Sequence, residues 1–175
     1  MTRVILNVLG HHAAWWVCVL AARADQAWIG VAFAVVLFAI HLAFSRDRGF
    51  EAWSIPLAAG LGYAGDTLIT LLGGLRFPDG GVLPAPLWIA ALWLAFATTL
   101  NTAFRWLRSR PGTAFIIGAV FGPAAYLGGA LFDVVALPNL VRGIVLLVMV
   151  WGLLMPVLAV LGTQAAKSEA AEAVV

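Results

Sequence analysis

The chain has 175 residues, 63% of them hydrophobic and 10% charged, with a formal net charge of +2 and a mean hydropathy of +1.02. A soluble domain carries apolar and polar residues in about equal share, so this composition excludes water as the main solvent and points to lipid. Scattered basic residues exclude a nucleic-acid footprint, which needs a clustered basic face, and the single cysteine, Cys18, excludes a disulfide framework or thiolate metal site within one chain.

A spanning helix needs about 20 mostly apolar residues. Six segments qualify, at 4–22, 27–45, 52–74, 86–107, 113–134 and 139–165, separated by short polar or Pro/Gly breaks. The expected fold is therefore all-α: a polytopic bundle of six transmembrane helices over residues 1–166, followed by a polar tail at 167–175.

Segment one carries Asn7, His11 and His12 among apolar residues, with Trp15 and Trp16 on the next turn. Arg3, the apolar run and Ala22-Arg23-Ala24 also fit a cleaved signal. The polar interruptions weigh against that, and the segment is read as a retained helix. Asn7 and His11 share a face, whereas His11 and His12 diverge by about 100° and are poorly placed to ligate one ion. No metal site is expected. His41 closes segment two beside Arg46 and Arg48 and is read as interfacial.

Segment three opens with the small-residue run Ala58-Ala59-Gly60-Leu61-Gly62 and then places Asp66 roughly 20 Å along the helix. A carboxylate in hydrocarbon costs at least about 2.5 kcal/mol, so Asp66 must face protein or water and is the candidate acid or base. Gly62, Asp66 and Thr70 are spaced i, i+4, i+8 and share a face. The long connection from Arg76 to Pro86 is broken by three prolines and two glycines, and its Phe77, Val82 and Leu83 are expected on the bundle mouth.

Segment four carries Thr98, Thr99, Asn101, Thr102 and Arg105. Continued as a helix, it puts Thr98, Asn101 and Arg105 on one stripe, with Thr98 and Asn101 as the expected partners of Asp66 and Arg105 snorkelling to headgroups. Segment five offers a small-residue stripe at Gly118, Gly122, Ala125 and Gly129, so segments three and five are expected to form the tight centre. Pro123 and Pro156 are expected to kink segments five and six. Trp28, Trp53, Trp88 and Trp106 fall near helix ends, where indoles favour the interface; Trp15, Trp16, Trp93 and Trp151 fall inside and are read as packing or cavity-lining.

Loop charge orients the bundle. One side holds Arg3, Arg46, Arg48, Arg105, Arg108, Arg110 and Lys167, the other only Arg23, Arg76 and Arg142, so both termini are expected in the cytoplasm of a bacterial inner membrane.

The motifs Asn7-x₄-His12-x₂-Trp15, Gly62-x₃-Asp66, Phe77-Pro78 and Leu92-Trp93-x₂-Phe96-x-Thr98-Thr99-Leu100-Asn101-x₃-Arg105-Trp106-Leu107 resemble a bacterial inner-membrane family known as domain of unknown function 2878. The resemblance runs from Asn7 to about Pro156, and the segment-four motif is its most specific part. It implies a small membrane protein with no assigned reaction, often encoded near fatty-acid-modifying and light-stress proteins. Glutamine is usual there at the position of His12, which argues against His12 as an essential acid, base or ligand. By position it carries over Asn7, His12, Trp15, Asp66, Thr98, Asn101 and Trp106.

Together these readings give a candidate ligand-binding set of Asn7, His12, Trp15, Asp66, Trp93, Thr98, Asn101 and Tyr126. The leading expectation is a membrane component that binds lipid or another apolar ligand, such as an acyl chain, associated with fatty-acid modification or stress response. The alternatives are a small, proton-coupled transporter and a structural or interaction protein in which Asp66, Thr98 and Asn101 only tie helices together. No cofactor and no nucleic acid are expected; membrane lipids, a second copy or another membrane protein are the expected partners.

Overall fold

The computed structural model describes residues 2–78 and 84–161. Six α-helices follow one another: α1 (Thr2–Arg23), α2 (Ala27–Ala43), α3 (Arg48–Leu71), α4 (Leu87–Leu100), α5 (Pro111–Ala130) and α6 (Leu140–Leu161), with a 3₁₀ turn at Arg105–Ser109. By length and hydropathy α1, α5 and α6 are candidate membrane spans, and α2 and α4 are shorter apolar helices. The expected tail and the last four residues of segment six lie outside the described residues, as do Val82 and Leu83.

Local chemistry sets the helix ends. The Asp47 carboxylate accepts from the Phe50 amide at 3.1 Å and caps α3. Pro111 starts α5, where its missing N–H costs nothing. Asp25 and Asp133, both in the left-handed region, turn the chain after α1 and α5. Pro123 and Pro156 sit inside helices that continue past them.

Segment four departs from its expected length. The α-helix ends at Leu100, and the chain tightens into turns before the 3₁₀ segment. Hydroxyls explain the stop: Thr98 and Thr99 donate back to the carbonyls of Ala95 and Phe96, competing with the helix ladder. Thr98, Asn101 and Arg105 therefore do not form one helical stripe, and Arg105 lies exposed beyond it.

α4 is the centre of the bundle, packed against α1, α2 and α3, while α5 pairs with α6 and α6 leans on α3. This corrects the expectation that segments three and five form the tight centre. Their small residues receive side chains from α4 and α6 instead: a β-carbon on Gly62 would overlap the Trp93 indole, and one on Gly122 would overlap Trp151. Between α1 and α2, Gly30 lies so close to Cys18 that a β-carbon would fall 2.8 Å from its Sγ. Trp88 is buried against Phe77. An antiparallel bridge joins Arg76 to Ala136 and ties the α3–α4 connection to the α5–α6 connection.

The outer face is apolar. Leu6, Val36, Phe121, Val141 and Leu153 are each more than half exposed, an arrangement that water penalises and hydrocarbon accepts.

Candidate ligand cavity and its buried carboxyl

Asp66 stands one turn beyond Gly62 on α3, so both face α4. The missing side chain at Gly62 lets the Trp93 ring lie flat across the helix, where its Nε1 donates to Asp66 Oδ2 at 2.5 Å. From α6, Trp151 Nε1 donates to Oδ1 at 3.1 Å. The two indoles stand 4.4 Å apart between centroids, tilted by 34°. The buried Tyr126 of α5 presents its hydroxyl to the same carboxyl. Asp66 itself is 1% exposed, and burial of such a group is tolerable only when hydrogen bonds replace water.

Those donors are not the ones expected. Thr98 and Asn101 were the anticipated partners, but Thr98 turns its hydroxyl to the carbonyl of Ala95 and Asn101 reaches Glu51. Indoles take the role because the glycines bring whole rings up to the helix axis.

Above this carboxyl lies a cavity of about 550 Å³ between α1, α4, α5 and α6, within the range of small-molecule sites. Trp15 and His11 on α1, Phe96 on α4, Ala125 on α5 and Met155 on α6 line its walls. α1 and α5 are not packed along their lengths. Trp15 approaches Gly128 at one end, where Trp15, Trp16 and Phe132 form an edge-to-face cluster. Phe121 and Trp16 both line the cavity and both reach the outer surface, with 64% and 49% exposure.

Polar atoms on the α1 wall are few. His11 packs its ring edge-on to Phe96, with centroids 5.6 Å apart, and its Nδ1 is buried with no hydrogen-bond partner among the described residues. His12 is exposed and its Nδ1 is satisfied by the Val8 carbonyl at 2.9 Å.

A second polar cluster ties four helices together. Asn7 Nδ2 donates to Thr98 Oγ1 at 3.0 Å and lies 3.5 Å from His41 Nδ1, while Thr102 donates to Asn7 Oδ1. His41 Nε2 lies 3.0 Å from Glu51 Oε2, their side chains only 7% and 8% exposed. Glu51 Oε1 accepts from Asn101, which accepts from Arg108 at 2.6 Å. Burial lowers the Arg108 guanidinium below its usual value, as does neighbouring Arg105, while Glu51 opposes both. His41 is thus a buried partner of a carboxylate.

Of the sequence-derived candidates, His12, Trp15, Asp66, Trp93 and Tyr126 line the cavity. Asn7, Thr98 and Asn101 belong to the second cluster. Trp106 stands apart, 45% exposed with Arg110 over its ring. Glu51 was not singled out. It immediately precedes the third apolar segment, where a first-turn carboxylate also suits the helix dipole.

A family model described as a protein of unknown function, DUF2878, matches residues 4–157. The chain belongs to this family. Neither a curated protein nor a solved structure matches it.

Proposed function

We propose that this DUF2878 protein is a six-span inner-membrane protein that holds a lipid-like apolar ligand in the cavity between α1, α4, α5 and α6, with Asp66 as its polar anchor. The observation that carries this reading is the union of an aromatic-walled space of about 550 Å³ with one carboxyl held at its floor by two indole N–H groups. Hydrophobic walls supply affinity and one convergent polar group supplies orientation.

The surroundings support a membrane-borne ligand. Exposed aliphatic side chains cover the outer helices, and the cavity reaches that surface between α1 and α5, so a chain can enter sideways from hydrocarbon. The basic residues favour both termini in the cytoplasm. The described cavity lining includes none of Asn7, Glu51 or Asn101, so the second polar cluster is not part of the proposed ligand site.

Organic extraction of protein purified in mild detergent, followed by mass spectrometry, tests the reading. Wild type should release an apolar molecule at about one per chain, and Ala125→Phe, which fills the cavity, should release at most a tenth of that. Equal release from both proteins would end the proposal.

A further inference from the structure

We infer that the cavity selects an uncharged head on its apolar ligand, a hydroxyl, over a carboxylate or phosphate. The inference rests on the reading of the cavity as a ligand site and names the class of molecule that fits it.

The polar inventory of the cavity decides the class. Among the described residues, the groups hydrogen-bonded to the Asp66 carboxyl are donors: the indole N–H of Trp93, the indole N–H of Trp151 and the hydroxyl of Tyr126. A carboxyl so surrounded is used as an acceptor, and the lone pairs it still offers ask for a further donor. An anionic head brings only acceptors. Among the described residues no lysine or arginine lines the cavity, so that anion would be stranded in an apolar space beside a second carboxyl.

An ammonium has the right sign but too many donors. It carries three N–H bonds into a space where, beyond Asp66, the described lining offers only the two imidazoles of α1 and the Tyr126 hydroxyl already turned to Asp66, and unsatisfied donors are costly there. A hydroxyl brings one donor for Asp66 and lone pairs of its own. His11 supplies the second polar point: its Nδ1 is buried and unpartnered on the α1 wall, and its imidazole can donate to or accept from an oxygen on the ligand.

Native mass spectrometry of the full-length protein, ejected from micelles loaded at pH 8 with hexadecanol, hexadecanoate or hexadecylamine at equal mole fraction, tests this. Wild type should retain hexadecanol with about tenfold higher occupancy than either charged chain, the ratio that about 1.4 kcal/mol of discrimination produces. Asp66→Asn, which keeps one acceptor and adds an amide donor, should bring hexadecanoate to within about threefold of the alcohol. His11→Phe should lower alcohol occupancy without raising that of the acid. Thermal unfolding of each variant checks that it is folded. Equal retention of all three chains, or preference for a charged one, would overturn the inference and leave the cavity reading standing. Retention of none would sink the cavity reading itself.

Discussion

The indole of Trp93 occupies the space where a β-carbon on Gly62 would stand, and from that seat its N–H reaches Asp66 one turn along the same helix. Gly122 does the same for Trp151. The carboxyl is thus held by rings that only glycines admit.

Gly62→Ala should expel the Trp93 ring and cost about 1–3 kcal/mol, the usual size of overpacking in a tight core. Gly60→Ala, with nothing within 4 Å of the added carbon, should be neutral or slightly stabilising. Thermal unfolding in one detergent separates them; equal melting temperatures would contradict the seating.

Trp93→Phe and Trp151→Phe each keep a ring and remove one donor to Asp66. Because both act on one carboxyl and their rings touch, their effects on stability should depart from additivity by about 0.5 kcal/mol or more. Trp93→Phe combined with Trp28→Phe, where Trp28 is 68% exposed at the start of α2, should be additive. A double-mutant cycle on unfolding free energy reads both.

Asn7→Leu removes bonds to Thr98 and Thr102 and the approach to His41, with an expected loss of about 1–3 kcal/mol. Retention of an apolar ligand should change by no more than about twofold, since Asn7 does not line the cavity. Loss of ligand from a folded variant would join the two polar clusters into one site.

His41→Leu leaves the buried Glu51 without its imidazole partner and should cost about 3 kcal/mol. The double replacement of His41 and Glu51 by leucine should recover part of that loss, because removing a buried pair is milder than orphaning one member. Melting temperatures of the two variants decide the order.

Composition and apolar run length made the helices legible, and the starts and ends that fall among the described residues are read to within about four residues, except the end of segment four. There, threonine hydroxyls turned back on the backbone and stopped the helix at Leu100, a competition that apolar periodicity does not register. Asp66 was legible because a carboxyl in an apolar run needs an explanation wherever it packs. Its partners were not. Depth along antiparallel helices nominated Thr98 and Asn101, but rotation about the helix axis, set by which glycine each indole fills, delivered Trp93 and Trp151. Glu51 and His41 were obscured for a similar reason: near a segment end, solvent and a buried partner look alike in sequence.

Cys18 is fully buried where α1 meets Gly30 of α2, and it is the only thiol in the chain. A maleimide dye that fluoresces on reaction should stay dark on the folded protein and light up only as α1 parts from α2. Every variant above therefore carries its own unfolding reporter and needs no engineered label. Prompt labelling of native protein would show that the α1–α2 seam opens without global unfolding.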